Sequence, residues 1–252
     1  MSLLRASVVV PGALVEEATA AMLELFPEGF AELGDVEATE LVAFTDEPGA
    51  ERLGARFGEV RVEAVPDGWE SEWMRFHRPV EVGSLWIGPP WEEPTPGLVP
   101  VVIDPGLAFG TGAHPTTQLC LELIQLLERS SLLDIGSGSG VLAIAACKLG
   151  YEPVRAIDVD EAAVAATRHN AEANGVPLEA VLLDAAGAAL TDAESAVANI
   201  DLRTVSELLL PERCHTLVTS GYYESDRPVV AGFSHVDRLV KERWAADLFT
   251  RE

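Results

Sequence analysis

The stretch "LLDIGSGSG", residues 132–140, constrains the fold of this chain most strongly, because three glycines join a short apolar run to a helical pattern. Gly136, Gly138 and Gly140 stand two residues apart, directly before the apolar segment "VLAIAACKLG". Glycines between a strand and a helix let the backbone pass close to a ligand and leave the helix N-terminus open toward it. A tight turn without a ligand is the alternative interpretation.

The segments around this loop predict an α/β domain. Strand patterns at "SLLDIG", "PVRAIDV", "LEAVLLD" and "ESAVANI" alternate with helical patterns. Such alternation is typical of a doubly wound, Rossmann-like and mostly parallel sheet. The chain continues with "HTLVTSG", a helical pattern at "DRPVVAGF" and the segment "RWAADLFTR". We therefore expect one α/β domain over residues 101–252.

The glycine spacing departs from the dinucleotide fingerprint G-x-G-x-x-G, because the third glycine comes one residue early and position 141 is valine. Asp158 ends the next strand pattern, 22 residues after Gly136, and supplies an acidic group that can bind two ribose hydroxyls. This strand, D-x-G-x-G-x-G loop, helix, strand and terminal aspartate together resemble the class I S-adenosylmethionine-dependent methyltransferases. The resemblance implies S-adenosyl-L-methionine as cofactor, bound by Gly136, Gly138, Gly140 and Asp158.

Polar residues also end the third and fourth strand patterns. Asp184 ends the third, which lies beside the adenine in the resembled class, so it is a candidate acceptor for the exocyclic amine. A solvated loop carboxylate is the alternative. Asn199 ends the fourth, where open α/β sheets place active-site groups, and its carboxamide both accepts and donates. A capping or turn asparagine is the alternative there.

A second glycine-rich stretch, "DPGLAFGTGAHPTT", lies at residues 104–117. Together with "LDIGSGSGVLAIAACKLG" and "AIDVDEAAVAATRHNAEANGV" it resembles the PrmA family, whose members methylate amines of the large-subunit ribosomal protein L11. The resemblance implies that this loop covers the cofactor and that Thr111 binds it. It assigns the remaining cofactor contacts to Gly136, Asp158 and Asn199.

Two residues near the expected acceptor each allow two interpretations. His114 stands in the same loop and either orders it through a hydrogen bond or takes part in proton chemistry. Asp201 stands where the family usually has small or apolar residues, and either attracts a cationic amine or caps a helix. The stretch from there to Gly221 is short and lacks the family's usual Pro-Gly-Gly turn, which leaves the acceptor's identity open. The other histidines lack ligand-like spacing, and we predict no metal site.

The first 100 residues predict two further regions. Residues 1–66 follow a β-α-β-β-α-β pattern, as in ferredoxin-like folds, and the resemblance implies a substrate-recognition domain. Its first helix is expected from Gly12 to Phe26, with an apolar face made of Leu14, Ala18, Met22 and Leu25. Residues 67–100 hold four of the five tryptophans and a dense group of prolines, which favours a linker. These tryptophans either pack between domains or form a substrate-facing wall.

Charge and composition limit the partners. A net charge of −24 argues against nucleic-acid binding, which depends on neutralising phosphates, and suits a basic protein substrate. Solubility is the alternative reason for this charge. No apolar run approaches the ~18 residues that span a bilayer, and the N-terminus lacks a signal-peptide pattern. With only three scattered cysteines, we expect a cytoplasmic protein without membrane association.

The leading hypothesis is therefore an S-adenosylmethionine-dependent protein N-methyltransferase. Its expected acceptors are lysine side chains, the N-terminal amine, or both, of ribosomal protein L11. Alternatives are a methyltransferase that acts on another protein lysine or a small molecule, and a non-catalytic S-adenosylmethionine-binding protein. A nicotinamide dehydrogenase is disfavoured by the glycine spacing.

Overall fold

The structure of the protein is a computed structural model, which describes residues 4–26, 30–34, 38–65, 77–105, 111–185 and 190–251. The chain divides into two compact units after residue 76. Each unit has its own sheet and its own apolar core. Across these described ranges, no helix combines the length and apolar character needed to cross a membrane.

The first unit is a four-stranded antiparallel sheet with two helices. In chain order its elements are β1 (Leu4–Pro11), α1 (Val15–Leu25), β2 (Ala31–Gly34), β3 (Ala38–Thr45), α2 (Glu47–Phe57) and β4 (Arg61–Ala64). The strands lie in the order β2-β3-β1-β4. The β-α-β-β-α-β element order expected from the sequence is present, while a role in substrate recognition stays a prediction.

The apolar face of α1 differs in part from the expected one. Ala18 and Met22 are buried as predicted. Leu14 is 52% exposed, so its assignment to the core was wrong. The reason is that Gly12–Leu14 forms a 3-10 turn and the α-helix begins only at Val15, which takes the buried position instead.

The second unit begins with a small three-stranded sheet inside the expected linker. Its strands are β5 (Val80–Val82), β6 (Leu85–Gly88) and β7 (Val99–Val102), in the order β5-β6-β7. Leu85 and Ile87 are buried in the unit's main apolar core, and Trp86 is only 2% exposed. From residue 77 onward the stretch is therefore folded chain, and Trp86 serves packing. Trp69 and Trp73 lie outside the described residues.

The large sheet of this unit has seven strands. They are β8 (Leu132–Ile135), β9 (Val154–Asp158), β10 (Leu178–Leu182), β11 (Ser195–Asn199), β12 (Thr216–Tyr223), β13 (Phe233–Lys241) and β14 (Trp244–Arg251). The accompanying helices are α3 (Pro115–Leu126), α4 (Val141–Leu149), α5 (Glu161–Asn174) and α6 (Leu202–Glu207). The strand order is β10-β9-β8-β11-β12-β14-β13, with β10 to β12 parallel and β14 antiparallel to β12.

This topology confirms the doubly wound sheet predicted from the sequence. The chain moves outward from β8 to β9 and β10, then returns to place β11 on the other side of β8. Ligands of open α/β sheets bind at such a reversal of strand order, outside the carboxyl ends of the strands. The carboxyl ends of β8 and β11 therefore mark where a site is expected.

One element in this unit was predicted wrongly. A helix was expected over residues 226–233, but residues 226–232 form turns and irregular chain, and Phe233 begins β13, which pairs with β14 as a hairpin. Pro228 and Gly232 disfavour a helix there. β13 gave no strand signal because it is an edge strand whose side chains are mostly exposed or half-buried, so no apolar alternation marks it.

Candidate functional site

The glycine loop after β8 makes a tight turn that depends on glycine. Gly136, Gly138 and Gly140 have φ values of 75°, 53° and 83°, in the left-handed region that other residues rarely adopt. A Cβ atom on Gly136 would lie 2.3 Å from Cγ2 of Ile200, so the loop passes directly against the chain that follows β11. Gly140 is the N-cap of α4. The loop thus lies between the carboxyl ends of β8 and β11, where the strand order reverses, and leads into the N-terminus of α4.

Two buried side chains of helix α5 donate hydrogen bonds to backbone carbonyls of this loop. The hydroxyl of Thr167 donates to the carbonyl of Gly138 (3.0 Å), and Nδ2 of Asn170 donates to the carbonyl of Ser139 (2.9 Å). Oδ1 of Asn170 also accepts from the backbone N–H of Asp104 (3.1 Å), where the second glycine-rich stretch begins. Sequence reasoning missed this clamp, although two polar residues three apart on a helix against a glycine loop are a usable signal.

Asp158 lies against the glycine loop at the end of β9. Its Oδ2 accepts from the backbone N–H of Gly138 (2.9 Å) and its Oδ1 accepts from the N–H of Asp160 (3.0 Å). Each carboxylate oxygen has two lone pairs, so both oxygens keep the capacity to accept from a ligand hydroxyl. The structure therefore brings together the glycines and the aspartate that the sequence assigned to one site.

A buried carboxyl group lies beneath the loop. Asp134, on β8, is 1% exposed and accepts from the backbone N–H of Ala143 through Oδ2 (3.1 Å). Its Oδ1 has no hydrogen-bond partner within the described part of the chain. Burial raises the pKa of this carboxyl to about 7. Unsatisfied buried oxygens are uncommon in native proteins, which makes this oxygen a candidate acceptor for a ligand.

Asn199 and Asp201 take different roles at the end of β11. Nδ2 of Asn199 donates to the hydroxyl of Thr117 across 3.3 Å. Asp201 is the N-cap of α6 and accepts from the backbone N–H of Thr204 (3.0 Å) and from its hydroxyl (2.6 Å). The helix-cap interpretation of Asp201 is therefore confirmed. Asn199 is bonded toward α3, and both interpretations of it, an active-site group and a capping or turn asparagine, stay open.

The second glycine-rich stretch approaches the same place. Residues 106–110 lie outside the described residues, but the chain from Thr111 onward is described. A Cβ atom on Gly112 would lie 3.7 Å from Cγ2 of Val141, the first residue of α4, so this stretch passes near the glycine loop. Thr111 is half-buried, and its contact with a cofactor stays a prediction. Thr117 is buried and bonded to Asn199, and sequence reasoning did not select it although it was part of the same motif.

His114 begins α3 and is engaged with its first turn. As the N-cap it accepts from the backbone N–H of Thr116 through Nδ1 (3.3 Å), and Nδ1 lies 2.7 Å from the Thr116 hydroxyl. Burial, with a smaller effect from the charge of Arg243, lowers the pKa of this imidazole to about 4. A ring that is neutral at physiological pH and already bonded at Nδ1 supports the loop-ordering interpretation.

An aromatic pair on β12 and β14 contacts His114 through Trp244. The Trp244 ring lies 4.8 Å from the His114 ring in an edge-on arrangement and stacks on the Tyr223 ring at 4.5 Å between centroids. Tyr223 and Trp244, the aromatic wall, are directly opposite each other in the β12–β14 ladder. Sequence reasoning missed this pair, because nothing local to either residue indicates that the other is its neighbour.

The remaining candidates lie away from these contacts or stay open. Asp184 is exposed just after β10, and both interpretations of it remain. No group of His, Cys, Asp and Glu residues in the described ranges could hold a metal ion. The three cysteines are free, and burial raises the pKa of Cys147 and Cys214 to about 11, so these thiols stay protonated at neutral pH.

Three features define a class I methyltransferase fold: the strand order, the glycine loop after β8 and the aspartate that ends β9. A solved structure of a ribosomal protein L11 methylase from Lactobacillus delbrueckii subsp. bulgaricus has this fold, with a TM-score of 0.60 and 27% identity over 70% of this chain and 100% of that one. Residues 32–225 match the family model described as "Ribosomal protein L11 methyltransferase (PrmA)". The chain belongs to this family.

Curated relatives carry the same description. A ribosomal protein L11 methyltransferase from Legionella pneumophila is 39% identical over 197 residues, which cover 72% of this chain and 68% of that protein. One from Vibrio campbellii is 49% identical over 149 residues, or 57% of this chain and 50% of that protein. The chain spans about half the length of several curated relatives it matches.

Proposed function

We propose that this protein transfers methyl groups from S-adenosyl-L-methionine to amines of ribosomal protein L11. The observation that carries the proposal is the meeting of the glycine loop, Asp158 and the Asn199–Thr117 pair at the carboxyl ends of β8, β9 and β11. Family membership supports the choice of acceptor.

The residues present suit this cofactor. Asp158 would accept from the ribose hydroxyls, and the backbone of the glycine loop leaves room for close approach of the ligand. The orphaned Oδ1 of Asp134 offers a buried acceptor, which a cationic ligand would stabilise in its ionised form. Asp184, at the end of β10, would accept from the adenine amine. Thr111 is the further contact that the family resemblance implies.

The cofactor supplies a methyl group on a sulfonium, and an amine nitrogen bonds to that carbon as the carbon–sulfur bond breaks and its electrons pass to sulfur. The protein mainly contributes alignment, which is worth ~7–11 kcal/mol for well-oriented reactants. Thr117 holds Nδ2 of Asn199 and so fixes the carboxamide plane. We infer that Oδ1 of Asn199 accepts from an N–H of the acceptor amine and directs its lone pair.

The acceptor must lose a proton before it attacks, because an ammonium has no lone pair. An α-amine, with a pKa of ~7.7–8.0, needs less help than a lysine, at ~10.4. His114 is a poor proton acceptor at neutral pH, given its pKa of about 4. We therefore propose that the acceptor amine loses its proton to water or a weak base before it attacks, with His114 holding the start of α3 so that Thr117 reaches Asn199.

Charge supports a protein acceptor over nucleic acid. The net charge of −24 would attract a basic polypeptide and repel phosphates. A cytoplasmic location follows from the proposed acceptor, which is a ribosomal protein.

The test is incubation of the protein with labelled S-adenosylmethionine and purified ribosomal proteins, followed by intact-mass measurement. We expect mass gains of one or more methyl groups on L11. Asp158→Ala should abolish the gain, while Asp160→Ala, two residues on and at the cap of α5, should retain it. A gain on another protein alone would identify a different acceptor, and cofactor binding without any product would indicate a non-catalytic binding protein.

A further inference from the structure

The aromatic wall of Tyr223 and Trp244 has no part in cofactor binding as described above, yet it stands close to the reacting end of the site. Trp244 contacts His114, the residue that begins α3, and Thr117 in the first turn of that helix bonds to Asn199. β12 runs parallel to β11, so Tyr223 lies beyond the same sheet edge at which Asn199 ends its strand. The wall and Asn199 thus lie at the same carboxyl edge of the sheet, joined through the first turn of α3.

Trp244 directly follows the tight loop of the hairpin formed by β13 and β14. The hairpin between β13 and β14 turns at Glu242, which has a φ of 58° and is the one described residue other than glycine with a positive φ. The carbonyl of Arg243 accepts from the N–H of Glu224 (2.8 Å), which fixes the turn beside Tyr223. Glu242 and Arg243 form a two-residue hairpin loop, for which a positive φ is the usual geometry, so the loop sets the register of Trp244.

The wall already carries a cation. The guanidinium carbon of Arg243 lies 5.4 Å from the centroid of the Tyr223 ring, within the range of a cation–π contact. Both aromatic residues are half-buried. A half-buried aromatic pair suits a ligand that combines an apolar stem with a positive head.

We propose that the Tyr223–Trp244 wall receives the side chain that bears the acceptor amine and determines how many methyl groups it accumulates. This inference rests on the proposed amine methylation. Each methyl transfer removes one N–H donor, so Asn199 can hold a methylated amine less well after every turn. An aromatic face needs no N–H donor and binds a methylated ammonium through its charge and apolar surface. The wall would keep a partly methylated amine in the site for the next transfer.

The kinetic test compares Trp244→Leu and Trp244→Phe with the wild type. We expect Trp244→Leu to raise KM for L11 roughly tenfold, the loss of one cation–π contact of about 1.4 kcal/mol, and to shift the products from higher to lower methyl states. Trp244→Phe keeps a ring and should restore both readouts to within about threefold. The calorimetric Kd for S-adenosylmethionine should be unchanged in both variants. Phe249→Leu, five residues further along β14 with its ring packed beside His235, is the matched control and should change neither KM nor methyl state.

A binding test works even if L11 is not the acceptor. The probe is n-butyltrimethylammonium, added to the protein loaded with S-adenosylhomocysteine, and the readout is the indole N–H resonance that disappears in Trp244→Phe. A saturable shift of that resonance, retained in Phe249→Leu, is expected. Absence of a saturable shift would overturn the wall as a site for a cationic amine. Unchanged KM and methyl states in Trp244→Leu would overturn its role in turnover, whereas failure of wild-type methylation would count only against the proposed function.

Discussion

The carboxamide of Asn199 donates to the hydroxyl of Thr117 across 3.3 Å and joins two residues that stand 82 positions apart in the chain. Asn199 ends β11, and Thr117 lies in the first turn of α3. The bond ties the end of the sheet to the helix that follows the second glycine-rich stretch.

Thr117→Val should lower kcat by about threefold to tenfold, because it removes a hydrogen bond worth ~0.5–1.5 kcal/mol while it preserves the shape of the side chain. Thr117→Ser retains the hydroxyl and should keep most of the activity. Steady-state rates with saturating cofactor provide the measurement. Equal rates for the valine and serine variants would show that the bond does not orient Asn199 for reaction.

Asp158→Ala should abolish measurable cofactor binding in calorimetry, because the variant loses the acceptor for the ribose hydroxyls and the partner of the Gly138 N–H. A control is Asp160→Ala, which removes the cap of α5 but no proposed ligand contact. Unchanged cofactor affinity in Asp158→Ala would refute the site assignment.

His114→Ala should lower turnover by the same factor at every pH from about 6 to 9. The folded-state pKa of about 4 lies below this interval, so the imidazole is neutral throughout, and its loss removes the cap of α3 and the ring contact with Trp244 at every pH. His114→Asn, which offers another capping side chain, should recover part of the rate. A normal turnover rate of the alanine variant at high pH alone would instead assign a proton-handling role to His114.

Asp134→Asn should gain stability relative to the wild type as pH rises. The folded-state pKa is raised to about 7 from an ordinary value near ~3.9, so the stability that the protonated carboxyl contributes is fully present below pH ~4 and is lost as pH rises through 7. Across that interval the difference in unfolding free energy between variant and wild type should change by about 4 kcal/mol. Urea unfolding at several pH values measures it, and a pH-independent difference would contradict the raised pKa.

Arg238→Ala should destabilise the protein by about 3–5 kcal/mol, because it leaves a buried carboxylate without its main partner. Asp247 is fully buried and accepts from Arg238 twice (2.8 Å each) and from the Tyr222 hydroxyl (2.7 Å). His235 Nε2 lies 2.7 Å from its Oδ1. Denaturant unfolding gives the free energy, with Arg203→Ala in an exposed pair with Glu207 as the control that should cost under ~1 kcal/mol.

The same network makes stability sensitive to acid. Despite its burial, the pKa of Asp247 is lowered by the bonds from Arg238, Tyr222 and His235. Its contribution is therefore present above the ordinary carboxyl pKa and is lost as pH falls through the lower folded-state value. Comparable unfolding free energies for Arg238→Ala and the wild type at neutral pH would contradict this account.

Local pattern was enough to predict the doubly wound sheet and the pairing of Asp158 with the glycine loop. Both follow from strand ends that the parallel sheet brings to one edge, so residues close to those ends in sequence are close in space. The edge strand β13 escaped prediction because its exposed side chains leave no apolar alternation. The start of α1 was misplaced because a 3-10 turn precedes it.

The fold class, the glycine loop and its acidic partner could be predicted from residue order alone, because tight turns and buried strands require particular residue types at fixed spacing. Three contacts could be known only from the folded chain: the bond of Thr117 to Asn199, the bonds of Asn170 to both glycine-rich stretches, and the stacking of Tyr223 on Trp244. Each of these contacts joins residues far apart in the chain. Their partners are chosen by strand order and helix packing, which no local pattern encodes.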